Sequence, residues 1–189
     1  MLNAGLRACR YHFDPMRAGH DLEAAIAEHE QRIRALPCEE AVALDDEGRV
    51  LLTKRGVGPT VTFTAAEAER MRGAAVFTHN HPAGNSFSPQ DVSLACTLEF
   101  GELRVVTVQW THILRPGPAG WGEKDWSRLD EAGQRAFLAV TDEFREAIQR
   151  RRLSISEANA EFWHCVWERV AEAEGLDYER FVGEQTDAD

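Results

Sequence analysis

Two kinds of apolar spacing alternate along the chain, and the switches between them divide it into elements. Leu22, Ala25, Ile26, His29, Ile33 and Leu36 recur every three or four residues, which predicts a helix from Asp21 to Leu36. Shorter apolar runs follow. Residues 40–45 and 49–54 predict two strands joined by the turn Asp45-Asp46-Glu47-Gly48, and a third short strand is expected near 60–63. Thr64-Ala65-Ala66-Glu67 has the form of a capping box and starts a helix running to about Arg72. Ala74-Ala75-Val76-Phe77-Thr78 has the pattern of a buried strand, and the β-branched run from Arg104 to Leu114 predicts another. Beyond the break Pro116-Gly117-Pro118-Ala119-Gly120, helical spacing resumes from about Asp130 to Arg152. It returns from Ser154-Ile155-Ser156-Glu157, a further capping box, and ends by Gly175. Leu6 to Phe13 has strand character, and the polar tail from Glu184 to Asp189 is expected to fray.

The stretch that carries chemistry is His79-Asn80-His81-Pro82-Ala83-Gly84-Asn85-Ser86-Phe87-Ser88-Pro89-Gln90-Asp91. In extended backbone, residues two apart point to the same side, so His79 and His81 at the end of a strand project together. Two imidazoles and one carboxylate are the usual protein ligands of an open zinc site. Taken alone, the His pair also fits a polar loop whose rings bond backbone carbonyls. Ser88 and Asp91 carry a second reading of their own. Ser-Pro-Gln-Asp before Val92, Leu94, Ala95 and Leu98 is a helix start, with Ser88 as N-cap, Pro89 at the first helical position and Asp91 as the reciprocal capping partner. In either case Asp91 lies in the first turn of a helix that begins where the His loop ends.

This arrangement resembles the JAMM (MPN) zinc metalloprotease motif, and its His-Asn-His-Pro opening is similar to the RadC branch and to JAMM-like domains of phage and mobile elements. The resemblance covers roughly residues 38 to 115. It implies His79, His81 and Asp91 as zinc ligands, Ser88 as a donor to the oxyanion, and an upstream Glu as general acid/base. The loop between Pro82 and Ser88 is one residue shorter than the family pattern. Cys38-Glu39-Glu40 precedes the strand Ala41-Val42-Ala43-Leu44, and strand alternation lets only one of the two acids face the cleft. Glu39 is favoured as catalytic base, with Glu40 as the alternative. The implied fold is α/β with a mixed MPN-like sheet in cytidine-deaminase-like layering, followed by a C-terminal helical hairpin. The expected divisions are an N-terminal segment and helix (1–37), the metal-binding core (38–115), and a loop with C-terminal helices (116–189). The implied activity is a zinc-dependent metallopeptidase or isopeptidase acting on a protein or peptide tail, ubiquitin-like tails included. The alternatives are an inactive JAMM-like binding or assembly module and a RadC-like nucleic-acid-associated protein.

Composition narrows this range. There are 21 Lys and Arg against 32 Asp and Glu, a net charge of −11, which argues against a phosphate-binding surface built from clustered cations. The basic run from Arg145 to Arg152 is expected as a solvated helix end. Cysteines 9, 38, 96 and 165 form no C-x-x-C pair and suggest neither a disulfide scaffold nor a structural zinc cluster. No signal sequence or membrane-length apolar run is expected, so the predicted setting is cytoplasmic. Phe162, Trp163, Val166, Trp167 and Val170 give the last helix a wide apolar face. That face suits packing on the core, or docking of a partner or a second copy. His112 lies at the end of the 104–114 run, near enough in order to approach the metal loop, but a polar strand tip is the expectation. Trp121 and Trp126 fit either the rim of a substrate groove or packing on the domain edge.

Overall fold

The computed structural model describes residues 15–57, 60–121 and 126–183. The expected strand at Leu6–Phe13 and the polar C-terminal tail lie outside these residues. Within them stand α1 (Pro15–Ile33), β1 (Glu40–Leu44), β2 (Val50–Arg55), α2 (Ala65–Arg70), β3 (Val76–Asn80), α3 (Pro89–Leu98), β4 (Glu102–Val106), β5 (Trp110–Arg115), α4 (Trp126–Gln149), α5 (Ile155–Glu174) and β6 (Asp177–Val182). The strands form one mixed sheet in the order β2-β1-β3-β4-β5-β6. Only β3 and β4 pair in parallel, with α3 as the crossover between them; the other pairs are antiparallel.

The sheet separates two apolar layers. Val42, Leu44 and Val76 point to α1 and pack with Ile26, while Ala41, Ala43, Phe77, Leu103, Val105 and Leu114 point the other way. On that second face α3, α4 and α5 complete the main core through Val92, Ala95, Val140, Val166, Trp167 and Val170. The apolar face of α5 is therefore core-facing at Val166, Trp167 and Val170. Phe162 and Trp163 meet Phe137 in an edge-to-face cluster between α4 and α5. Three helix starts follow the sequence: Thr64, Ser88 and Ser154 each cap a helix, with Glu67, Asp91 and Glu157 returning the bond to the cap's backbone N–H. By contrast, α1 begins at Pro15 rather than Asp21, and α4 at Trp126 rather than near Asp130.

Three local expectations change. The run from Arg104 to Leu114 is not one strand but the hairpin β4–β5. The Thr107 hydroxyl accepts from the backbone N–H groups of Gln109 and Trp110, an ST-turn that bends the chain without Gly or Asn. Residues 60–63 form no strand and pair with none of the sheet. The C-terminal region is also more than helices, because β6 returns to pair with β5 along its full length. The sheet thus extends beyond the expected 38–115 core, into the stretch expected to hold only a loop and helices.

The α1 layer contains an ion pair that periodicity did not reveal. Glu30 sits between Ile26 and Ile33 on the buried stripe and accepts from the Arg104 guanidinium and the Thr78 hydroxyl. Both charged side chains are nearly buried, at 7% and 9% exposure. Removing Glu30 leaves Arg104 with Glu102 as an ion-pair partner, so the cost is up to about 3 kcal/mol, the low end of that for a fully stranded buried charge. Glu30→Ala is expected to lower unfolding free energy by about that amount, while Glu30→Leu combined with Arg104→Leu recovers much of it. Urea unfolding of the two variants measures the difference, and equal losses would show that the pair is not coupled.

Candidate metal centre

The site forms where β3 leaves the sheet. His79 is the penultimate residue of β3, and the His81 N–H still bonds to the Val106 carbonyl, so the extended geometry continues through the pair. Both imidazoles thereby share a face, as their spacing predicts. The chain then reverses over His81-Pro82-Ala83-Gly84, closed by a bond from the Gly84 N–H to the His81 carbonyl. Gly84 takes φ +81°, a left-handed value that residues with a Cβ rarely adopt. The loop next reaches Ser88, and α3 begins.

Three side chains converge there. His79 Nε2 and His81 Nε2 lie 3.1 Å apart, His79 Nε2 lies 3.3 Å from Asp91 Oδ1, and His81 Nε2 lies 3.5 Å from Asp91 Oδ2. A tetrahedral ion with bonds of 2.0–2.1 Å separates its ligand atoms by about 3.3 Å, so the His79–His81 and His79–Asp91 Oδ1 spacings fit two edges of a zinc tetrahedron. The tautomer of His81 fits as well. Its Nδ1 lies 3.1 Å from the carbonyls of both Asn85 and Ser86, which only accept, so Nδ1 carries the proton and Nε2 presents its lone pair. His79 is 1% exposed and its Nδ1 is buried with no hydrogen-bond partner. That ring is held only through Nε2, the nitrogen that faces His81 and Asp91.

Electrostatics match the geometry. Burial works against the charged Asp91 carboxylate, but the two imidazoles outweigh it and hold its pKa well below the ordinary value. For His81 burial favours the neutral ring, and the Asp91 carboxylate overcomes this to raise its pKa. Asp91 also keeps its capping duty. Its Oδ2 accepts the Ser88 N–H at 2.7 Å, and its own N–H donates to Ser88 Oγ. The Ser88 hydroxyl is thus placed at the helix start beside Asp91, as an acceptor whose own O–H proton remains available.

The two upstream acids separate onto opposite faces. Ala41 pairs with His79 across β1 and β3, so Glu39, two residues before Ala41, shares the imidazole face. Glu39, His79 and His81 each offer a ligand atom within 4.8 Å of the others. Burial raises the Glu39 pKa; the imidazoles oppose it, and the Val61 N–H donates to its carboxylate. Glu40, the alternative base, points to the α1 face, where its carboxylate is held by Arg32 and Arg55. There burial is outweighed by the two guanidinium groups and its pKa falls. Asn80, between the two histidines, also faces that side. Its Oδ1 accepts the Glu40 N–H, and its Nδ2 donates to the carbonyls of Leu36 and Cys38.

His112 does not join the metal cluster. It points to the same sheet face, but its Nδ1 lies 2.9 Å from the Tyr178 hydroxyl, which also lies 2.8 Å from His164 Nδ1. The phenol has one proton, so it donates to one ring and accepts from the other. Burial, together with His164 and Arg180, pushes the His112 pKa down to about 3, and the ring is neutral. Asn80, His164, Trp167 and Tyr178 shape the surroundings of the site and were not singled out for this in the sequence. For Asn80 the signal was present: a residue between two histidines on one strand must face the opposite side.

The geometry separates capping from ligation. Asp91→Asn keeps an oxygen to accept the Ser88 N–H but removes the charge, so helix stability should change by less than about 1 kcal/mol. Zinc content measured by elemental analysis is expected to collapse in the same variant, and full zinc retention would reduce Asp91 to a cap. Glu40→Gln is expected to do the reverse, keeping the metal and losing stability. Because the folded Glu40 pKa lies below its ordinary 4.5, this contribution is complete above that value and disappears as pH falls through the folded pKa. Melting curves of Glu40→Gln and wild type should therefore converge in acid, and a gap independent of pH would count against the assignment. No family model, curated protein or solved structure matches this chain.

Proposed function

We propose that the protein is a zinc-dependent metallopeptidase of JAMM type, cleaving an amide or isopeptide bond in an extended protein or peptide tail. The observation that carries this reading is the convergence of His79 Nε2 and His81 Nε2, 3.1 Å apart, with Asp91 Oδ1 at 3.3 Å from His79 and the Glu39 carboxylate on the same face. His79, His81 and Asp91 would hold a divalent ion, which when bound would lower the pKa of water toward about 7 and polarise a scissile carbonyl. Glu39 takes the proton of the attacking water and passes it to the leaving amine. The geometric support for this role is that Glu39 shares the imidazole face and offers a carboxylate oxygen within 4.8 Å of the ligand atoms of His79 and His81. The Ser88 hydroxyl, with its proton unassigned to the cap, donates to the oxyanion of the tetrahedral intermediate. A tail threaded past the site in extended form would present successive carbonyls to this pair. The net charge of −11 makes nucleic acid the weaker candidate for a substrate.

The test pairs activity with metal content. Wild-type protein loaded with zinc is incubated with an extended peptide library and with ubiquitin-like fusions, and cleavage is read by mass spectrometry. Glu39→Gln is expected to retain zinc and lose roughly 10²–10⁴-fold in rate. Unchanged hydrolysis in Glu39→Gln, or no cleavage by a fully zinc-loaded wild type, would overturn the peptidase reading in favour of a binding module.

A further inference from the structure

The loop that leads from His81 to Asp91 is gripped at consecutive backbone groups. His81 Nδ1 holds the carbonyls of Asn85 and Ser86. The next carbonyl, that of Phe87, accepts from the indole N–H of Trp167 on α5 at 2.7 Å. The Ser88 N–H, which follows it, donates to Asp91 Oδ2 at 2.7 Å. The Phe87 C=O and the Ser88 N–H belong to one planar peptide unit. Trp167 and Asp91 therefore bind the two ends of the same rigid plane. Phe87 is fully buried and Trp167 is 1% exposed, so water does not substitute for the indole. The Phe87 ring is fixed too, packed edge-on against His112 and Tyr178 at 6.2 and 6.3 Å.

We propose that Trp167 is a positioning residue for the metal centre: its indole N–H orients the Phe87–Ser88 peptide plane and thereby fixes which Asp91 oxygen is left for the ion. This rests on the metal-centre reading above. The chain of bonds runs indole N–H to C=O, and N–H to carboxylate, a sequence in which each bond polarises the next. With the plane held, Oδ2 is engaged by Ser88 and Oδ1 is presented toward His79. Without the indole, the plane is free to tilt, and the carboxylate loses the contact that sets its rotation. Outer partners of metal ligands commonly govern affinity by 10–100-fold. The C-terminal helix is by this argument part of the metal site, although no residue of it touches a ligand directly.

The experiment uses the full chain and cobalt(II) as the probe, read by visible absorption and by competition with a chromophoric chelator. Trp167→Phe keeps most of the ring volume and removes the N–H. It is expected to bind cobalt roughly tenfold or more weakly than wild type and to shift the visible bands that report ligand geometry. Val170→Ala, a core change one turn further along α5, supplies a control of comparable stability loss and should leave the cobalt spectrum unchanged. If Trp167→Phe fails to fold, 3-benzothienylalanine introduced at position 167 preserves the shape of the side chain without the N–H, and the same two readouts decide. Wild-type affinity and spectrum in a folded Trp167 variant would overturn the positioning role and leave the metal centre standing. A folded wild type that takes up no cobalt would overturn the metal centre itself, and the positioning role with it.

Discussion

The side chain of Asn80 is the constraint on which the site's layout depends. It stands between two histidines on a strand, so alternation sends it to the opposite face, where the chain crosses from α1 into β1. There its amide takes the Glu40 N–H and holds the carbonyls of Leu36 and Cys38. Those three bonds fix where β1 begins relative to β3. The register that follows, Ala41 opposite His79, is what puts Glu39 with the imidazoles and Glu40 with the arginines. A one-residue slip would exchange the two acids, turning Glu40 toward the imidazoles and away from Arg32 and Arg55, and Glu39 toward the α1 face. The tripeptide His-Asn-His thus sets both the imidazole pair and, through its middle residue, the carboxylate that faces that pair.

The two adjacent carboxylates stand in opposite environments. Glu39 and Glu40 are neighbours in sequence, yet burial raises one pKa while Arg32 and Arg55 lower the other. A group clamped between two guanidinium ions is stabilised in its charged form, whereas desolvation of a carboxylate disfavours that form. The sequence could reduce the choice to two residues by alternation. It could not decide between them, because the deciding partners, Arg32 and Arg55, come from α1 and β2 and reach Glu40 only once the sheet is assembled.

The same distinction between local and assembled information accounts for what was readable in advance. The three capping boxes at Thr64, Ser88 and Ser154 were visible because their chemistry is contained within four residues. The first hairpin was visible from its turn residues, and the imidazole pair from the period of a strand. The β4–β5 break was not, because a Thr107 hydroxyl carries the turn inside a run that otherwise reads as continuous strand. Nor was β6, whose residues Asp177 to Val182 alternate between exposed and half-buried at the sheet edge and gain their order from pairing with β5. Glu30 was hidden for the related reason that a buried acid makes sense only beside Arg104, far along the chain.

Asp91 shows why a capping signature and a metal signature need not compete. A carboxylate has two oxygens, and the first turn of a helix supplies a backbone donor for one of them. Here Oδ2 accepts from Ser88, completing the cap, and Oδ1 is the oxygen nearest His79. The cap costs the ligand nothing, since a single oxygen suffices for a tetrahedral ion. It also contributes order, because a carboxylate fixed at one oxygen has lost its rotational freedom before any ion arrives. The imidazoles then lower its pKa well below the ordinary value, keeping it ionised. Reading Ser-Pro-Gln-Asp as a helix start is therefore correct and incomplete: the helix start also aims the Asp91 carboxylate at the two imidazoles.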